Sequence, residues 1–200
     1  MADEAKANLV INFVLGPEGT NISQAAKLWE RSMPIYGLHI EFETVWCKTV
    51  DEAIAGARAV TTENPQTLGI FWHCAVYFRE AQLVFDNPDL FPFRFQQRMR
   101  LDEMQIACRG NPVKQSWSTP RVAVHPSPES LLKPWQGHIK IVPALSNADA
   151  AEQCSKQLAE FCVTTKSARQ AYGLNCFHSF GSPEMVFFGG VTHAGTRLSI

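Results

Sequence analysis

Short apolar runs alternate with helix-like stretches along this chain of 200 residues. Strand–helix alternation predicts an α/β protein with mostly parallel sheets flanked by helices, in which ligands bind at the carboxyl ends of the strands. The expected strands are Val10 to Leu15, His39 to Val45, Leu68 to Trp72, Met104 to Cys108, Arg121 to Val124, Ile139 to Val142, Phe161 to Val163, Asn175 to Phe180 and Met185 to Gly189. The expected helices are Ser23 to Arg31, Thr49 to Ala59, Ser127 to Trp135, Asn147 to Glu160 and Thr165 to Tyr172.

The segment near residues 86–100 interrupts the alternation. Pro88 and Pro92 lie here among Asn and Asp residues, which is typical of a loop. We expect this loop to divide two sheets within a single domain of residues 1–200. Lobe 1 then spans about residues 1–100 together with 181–200, and lobe 2 spans about residues 101–180. A ligand cleft between the lobes would be lined by helix N-termini.

Composition narrows the classes of function. A formal net charge of −1 argues against a nucleic-acid partner, although Arg94, Arg98 and Arg100 lie in one segment with Phe93 and Phe95. No run approaches the length of a membrane span, and the charged N-terminus lacks the apolar core of a signal peptide. The six cysteines form no C-x-x-C pair, so we expect them to be reduced and mostly buried in a cytoplasmic protein. Nothing pairs with His73 and Cys74 at metal-site spacing, so no metal is expected.

Residues Leu15 to Thr20 (LGPEGT) join the first expected strand to the first helix. A strand that breaks at Gly-Pro and enters a helix through Gly-Thr presents N–H groups and hydroxyls to an anion. Similar junctions recur at Ser127 after His125-Pro126, at Ser146 and Asn147, and at Thr164 and Thr165. If these junctions converge, they suit a small molecule with more than one carboxylate. Each one also fits an ordinary capped helix.

The same segments resemble the prephenate dehydratase domain. The similarity begins at LGPEGT and Ser23 to Ala26, continues at His125-Pro126 and Ser146 to Ala151, and ends at Ala171 to Leu174. It keeps the order of the family's motifs and spans roughly residues 9–190. The resemblance implies two α/β lobes like a type II periplasmic binding protein, with prephenate in the cleft and no cofactor. The regulatory domain that often follows in the family is not expected here.

Two departures favour one branch of that family. The family's Thr-Arg-Phe motif is replaced by Ser182 to Phe187, and its Glu-Asn-Ser segment by Phe71 to Ala75. The non-aromatising prephenate decarboxylases, of the bacilysin-biosynthesis type, are more similar. They share the stretch His125 to Pro128 (HPSP), the stretch Ala168 to Leu174 and a histidine near His73.

This second resemblance implies decarboxylation of prephenate to a dihydro-4-hydroxyphenylpyruvate and CO2 without a cofactor, as a step towards an antibiotic or peptide metabolite. The ring hydroxyl is retained, since no donor helps it to leave. The alternatives are a prephenate dehydratase and a non-catalytic paralogue that binds a small carboxylate. Prephenate is the expected partner, with neither nucleic acid nor membrane, and a homodimer is compatible with the sequence.

The candidate residues follow from the junctions and the resemblance together. His73 at a strand end is the candidate proton donor, with simple hydrogen bonding as the alternative. Glu18 either acts as an acid or holds its loop. Arg169 is either a carboxylate clamp or a solvated charge. The residues expected to contact substrate are Thr20, Ser23, His125, Ser127, Ser146, Asn147, Thr165 and Arg169. For His125, which precedes Pro126, a role in orienting its loop is favoured over titration.

Overall fold

A computed structural model of the chain describes residues 9–33, 40–64, 66–90, 94–111 and 118–191. These residues fall into two compact units. The first contains the described residues up to Met99 and from Met185 onward, and the second runs from Arg100 to Glu184. The chain therefore passes from the first unit to the second and back again.

The first unit is built on a five-stranded mixed sheet. Its elements are β1 (Leu9–Leu15), α1 (Asn21–Ser32), β2 (Glu41–Cys47), α2 (Val50–Glu63), β3 (Thr67–Cys74), α3 (Glu80–Asp86), a 3-10 turn (Pro88–Leu90), β4 (Arg94–Arg100) and β10 (Glu184–Val191). The strand order is β2-β1-β3-β10-β4. Strand β1 runs parallel to β2 and β3, whereas β10 runs antiparallel to β3.

Helix α2 starts at a capping box, at the place where the sequence predicts a helix to begin. The Thr49 hydroxyl accepts the N–H of Glu52 at 3.1 Å, and the Glu52 carboxylate accepts the N–H of Lys48 at 2.7 Å. The helix then packs so tightly on β3 that a Cβ added at Gly69 would lie 2.3 Å from the carbonyl oxygen of Ala57. Glycine is therefore required at position 69 by a backbone-to-backbone contact.

A buried polar network connects β1, α1 and β3. The Asn12 side chain is fully buried, where its oxygen accepts from Trp72 Nε1 at 2.7 Å and its nitrogen donates to Glu30 Oε1 at 2.8 Å. Burial raises the pKa of the Glu30 carboxyl above its ordinary value, against the opposing effects of Asn12 and Lys27. The folded state is therefore less stable when Glu30 is ionised than when Glu30 is protonated.

Replacing Glu30 by glutamine is expected to stabilise the protein progressively as the pH rises. The unfolded state loses its proton near the ordinary value of 4.5, whereas the folded state keeps it to higher pH. The wild type thus loses stability as the pH rises through this window, and Glu30→Gln, which keeps an oxygen for Asn12, does not. Urea unfolding from pH 4 to 7 measures the difference in the free energy of unfolding between Glu30→Gln and the wild type.

Glu18→Gln is the matched control, because the Lys27 ion pair lowers the pKa of Glu18. The difference in the free energy of unfolding between Glu18→Gln and the wild type should change with pH in the opposite direction. A stability gap for Glu30→Gln that stays constant from pH 4 to 7 would contradict the prediction.

The second unit contains another five-stranded mixed sheet. Its elements are β5 (Met104–Cys108), β6 (Arg121–Val124), a 3-10 helix (Glu129–Trp135), β7 (Lys140–Pro143), α4 (Asn147–Ser155), β8 (Phe161–Thr165), α5 (Lys166–Ala171) and β9 (Asn175–Gly181). The strand order is β7-β6-β8-β5-β9. Strand β6 is parallel to β7 and β8, and β5 is antiparallel to β8 and β9.

Both faces of this second sheet are covered. Small residues of β5, β6 and β8 pack under α4, where Ala107, Ala123 and Cys162 are buried together with Ala150 and Ala151. Larger residues of the same strands pack on the opposite face with Leu132 of the 3-10 helix. The predicted α/β class, with two sheets flanked by helices, is confirmed, and the antiparallel strands make both sheets mixed.

Three expected elements are wrong in type or extent. The helix predicted over Ser127 to Trp135 is a 3-10 helix starting at Glu129, and it contains Pro134, which cannot donate the hydrogen bond of an α-helix. The helix predicted over Asn147 to Glu160 ends at Ser155, shortly before Gln157 adopts a φ of 64°. The segment near residues 86–100 is not all loop, because β4 occupies its second half. This polar strand lies at the sheet edge, where few apolar residues are needed.

Other expectations have clear outcomes within the described residues. The start of the second predicted strand, His39, lies outside them, and β2 begins at Glu41. All six cysteines are free thiols, four of them buried, with Cys74 half-buried and Cys176 exposed. Among the helices that the structure describes, none has the length and apolarity to cross a membrane.

Candidate functional site

The LGPEGT junction is closed by its own hydrogen bonds. Thr20 caps α1, accepting the N–H of Ser23 at 3.4 Å and donating to the Leu15 carbonyl at 3.3 Å. The Ser23 hydroxyl donates to the Thr20 carbonyl at 2.8 Å and accepts the N–H of Gly19 at 3.0 Å. Gly16 and Gly19 have φ values of 82° and 90°, which only glycine adopts without strain. Both hydroxyls thus act within the turn.

Glu18 on this loop forms an ion pair with Lys27 at the surface. The bond from Lys27 holds the pKa of the Glu18 carboxyl below its ordinary value. A carboxylate that ionises this readily is poorly matched to proton donation near neutral pH. The geometry fits the alternative role, in which Glu18 holds the loop.

His73 lies in the interior of the first unit, at the end of β3. It is 1% exposed, and its Nδ1 lies 2.8 Å from Oε2 of Glu80. Its ring stacks on Phe71 at 5.4 Å, with Phe188 at 5.6 Å on a tilted plane. Glu80 is the residue that sequence reasoning missed, because α3 was not predicted and nothing local links positions 73 and 80.

The second unit presents a helix N-terminus at the carboxyl end of its parallel strands. Ser146 caps α4, with its hydroxyl accepting the N–H of Asp149 at 3.0 Å and its carbonyl accepting the N–H of Ala150 at 2.9 Å. The first two N–H groups of the helix, those of Asn147 and Ala148, have no intrahelical acceptor. Helix N–H groups in this position attract anions.

A row of polar side chains crosses the sheet beneath this helix end. Thr164 of β8 is paired with Gln105 of β5, which is paired with Ser179 of β9. Directly paired residues of antiparallel strands point to the same face. The Thr164 hydroxyl donates to the Asn147 carbonyl at 2.6 Å and so fixes the start of α4 over the row.

Glu103 anchors the other side of this row. Its Oε1 accepts from the Ser179 hydroxyl at 2.5 Å and from Gln105 Nε2 at 2.9 Å, and Lys166 Nζ lies 3.8 Å from its Oε2. The bonds from Ser179 and Gln105 hold the pKa of the Glu103 carboxyl below its ordinary value. Glu103 is therefore a carboxylate, which accepts hydrogen bonds and donates none.

Two buried amide oxygens lie at this place without a bond. Gln105 is 4% exposed, and neither its Oε1 nor the buried Oδ1 of Asn147 has a hydrogen-bond partner among the described residues. We call Gln105, Asn147, Thr164 and Thr165 the β8-edge site, after the edge of the sheet at which the central strand β8 ends. Thr165 is buried and caps α5, accepting the N–H of Ala168 at 3.3 Å. Sequence reasoning identified Asn147 and Thr165 but missed Gln105, whose only signal is an amide within an apolar strand.

Arg169 and His125 occupy more constrained positions than expected. Arg169 is half-buried, and its Nη1 donates to the Leu174 carbonyl at 2.8 Å, while its buried Nε has no partner within the described part of the chain. His125 follows β6 and accepts the N–H of Ser127 on Nδ1 at 3.2 Å. Burial lowers the pKa of His125, so the ring is neutral at physiological pH and fits the loop-orienting role. No cluster of metal-ligating side chains occurs in residues 9–33, 40–64, 66–90, 94–111 and 118–191.

Comparison with known proteins adds information on the fold. No protein-family model matches the chain, and no curated protein matches it. Among solved structures, the periplasmic VFT2 domain of Bordetella pertussis BvgS matches 91% of this chain and 80% of its own, with a TM-score of 0.60 and 17% identity. PhnD1 from Prochlorococcus marinus, in complex with methylphosphonate, matches 92% of this chain and 77% of its own, with a TM-score of 0.58 and 10% identity. The fold is periplasmic-binding-protein-like.

A prephenate dehydratase from Staphylococcus aureus is also similar. It matches 94% of this chain and 68% of its own, with 12% identity and a TM-score of 0.48, too low to support a relationship. At these identities the likenesses concern the fold alone. The resemblance to the non-aromatising decarboxylases rests on the sequence motifs.

Proposed function

We propose that this chain binds a small carboxylate at the β8-edge site. The proposal is carried by the start of α4, where helix N–H groups lie beside two buried amide oxygens, on Gln105 and Asn147, that lack a partner within the described residues. Native proteins rarely leave buried polar groups unpaired, and an absent ligand accounts for such a group. Amide oxygens only accept, so the carboxylate itself would bind the N–H groups of Asn147 and Ala148, which have no acceptor within the helix and favour an anion.

The periplasmic-binding-protein-like fold supports this proposal. PhnD1, which shares the fold, was solved with methylphosphonate, a small anion. The negative charge of Glu103, which accepts from Gln105, is partly offset by Lys166, whose Nζ lies 3.8 Å from Glu103 Oε2. Backbone N–H groups at a helix start can hold a carboxylate through directed hydrogen bonds, and this is the binding that we propose.

The finer proposal is that the carboxylate is prephenate and that the chain decarboxylates it. The HPSP stretch at His125 and the stretch Ala168 to Leu174 support this proposal through their resemblance to the decarboxylases. In that reaction the ring carboxylate leaves as CO2, its electron pair shifts through the diene, and a proton is added to a ring carbon. The hydroxyl stays on the ring. The proton donor expected from the sequence, His73, is buried in the first unit beside Glu80 and is not among the residues of the proposed site, so its part in the reaction is tested separately.

Titration of the protein with prephenate, followed by product analysis, tests both levels. Asn147→Ala should weaken binding about tenfold, because it removes a side-chain amide whose nitrogen can donate one hydrogen bond to a carboxylate, at the first position of a helix that tolerates alanine. Asn175→Ala is the matched control in the same unit, where the side chain donates to the Gly110 carbonyl at 2.8 Å. It should bind like the wild type.

The products separate the candidate activities. Stoichiometric CO2 with the hydroxyl retained supports the decarboxylase, and phenylpyruvate above the rate of uncatalysed breakdown indicates a dehydratase instead. Binding without turnover leaves a carboxylate-binding protein. If neither prephenate nor any other small carboxylate binds, or if Asn147→Ala and Asn175→Ala bind equally, the proposed site is wrong.

A further inference from the structure

The orientation of the Gln105 amide is fixed by its neighbour. Its Nε2 donates to Glu103 Oε1 at 2.9 Å, and the same oxygen accepts from Ser179 at 2.5 Å. A carboxylate accepts only, so turning the amide over would set two acceptor oxygens against each other. The Oε1 of Gln105 is therefore a committed acceptor that points away from Glu103.

Neither of the two hydroxyls paired with Gln105 in the strand register can serve this acceptor. Ser179 donates its proton to Glu103 at 2.5 Å, and Thr164 donates its proton to the Asn147 carbonyl at 2.6 Å. Gln105 Oε1 and Asn147 Oδ1 thus remain two acceptors without a donor among the described residues. A buried acceptor in this state is costly until a donor reaches it.

We infer that the ligand carries an O–H or N–H donor beside its carboxylate, and is thus a 2-hydroxy or 2-amino carboxylate in preference to a 2-oxo carboxylate. This inference rests on the proposed carboxylate site. The carboxylate occupies the N–H groups at the start of α4, and the donor occupies Gln105 Oε1. Thr164 links the two positions, because it is paired with Gln105 in the sheet and donates to the Asn147 carbonyl at the start of α4. The shortest ligand that reaches both positions carries its donor on the carbon next to the carboxylate.

A 2-oxo group is itself an acceptor, so it cannot donate to Gln105 Oε1 and leaves that oxygen without a hydrogen bond. Prephenate, whose side chain is a 2-oxo carboxylate, meets the requirement only through its ring hydroxyl. Gln105 is on this view a specificity-determining residue, since it distinguishes ligands of one carbon skeleton by the group at a single carbon.

Three ligands with one skeleton test the inference: phenylalanine, 3-phenyllactate and phenylpyruvate, each titrated calorimetrically. In the wild type at least one of the first two should bind about tenfold or more tightly than phenylpyruvate, the ratio expected for one unpaired buried acceptor. Gln105→Met, which is of similar length and has no acceptor oxygen, should remove this preference. Ser179→Ala, which leaves the Gln105 amide and its bond to Glu103 in place, should retain it.

The outcomes separate the two levels of the proposal. Equal binding of all three ligands by the wild type overturns the inference and leaves the carboxylate site standing. A preference that persists in Gln105→Met also overturns it, since the donor then binds elsewhere. Failure of any carboxylate to bind overturns the proposed function and the inference with it. The wild-type preference needs no variant, so the test holds even if Gln105→Met does not fold.

Discussion

Replacing Gly69 by alanine is expected to destabilise the first unit at or above the upper end of the roughly 1–3 kcal/mol that overpacking costs. The added methyl group would lie 2.3 Å from the Ala57 carbonyl oxygen and 2.7 Å from its Cα. Both are backbone atoms of α2, so no side chain can rotate to relieve the contact, and the helix must move off β3. Urea unfolding followed by tryptophan fluorescence measures the loss, because Trp29 and Trp72 are buried in this unit.

Gly19→Ala is the control for this substitution. Position 19 has a φ of 90°, but a Cβ added there would meet only open space. Alanine at this position therefore costs only the strain of the left-handed conformation, roughly 1–2 kcal/mol. If Gly69→Ala costs no more than Gly19→Ala, the backbones of α2 and β3 are not in close contact.

Replacing Glu80 by alanine is expected to cost about 2 kcal/mol, because it removes the carboxylate beside the buried His73 imidazole. A double-mutant cycle isolates that contact. His73→Phe keeps a ring that can stack on Phe71 but has no nitrogen for Glu80. In the His73→Phe background the Glu80→Ala substitution should therefore cost little.

An equal cost of Glu80→Ala in both backgrounds would mean that the two side chains do not interact. The same four proteins also report on the proposed chemistry. If His73 supplies the proton, His73→Phe should reduce prephenate decarboxylation by about 10²-fold or more. Glu80→Ala should then alter the pH profile of the rate while His73 is still present.

The elements that could be predicted are those whose cause lies within a few residues. Apolar runs such as Met104 to Cys108 and Arg121 to Val124 match their strands to the residue, and Thr49, Ser146 and Thr165 each cap a helix as their sequence patterns indicate. Strand β4 was missed because it is an edge strand rich in arginine and glutamine, and a search for hydrophobic patterns does not detect such a strand.

The residues of the candidate site likewise fall into those with a local cause in the sequence and those that depend on distant partners. Asn147 and Thr165 could be predicted because each lies at a helix start that the local sequence specifies. Gln105 and Glu80 could not, because their significance depends on pairing with Thr164 and on packing beside His73. Such partners are set by strand register and by tertiary contacts, neither of which leaves a short-range pattern.

The interrupted order of the first sheet has a consequence for biosynthesis. Strand β10 lies between β3 and β4, yet it is made after the whole second unit. On the ribosome, the continuous segment from Arg100 to Glu184 can start to fold while β3 and β4 still have unpaired edges. Exposed strand edges favour aggregation, and contacts between residues far apart in the chain form slowly. Nascent chains halted before Met185 therefore expose these strand edges and are expected to aggregate more readily than the finished chain.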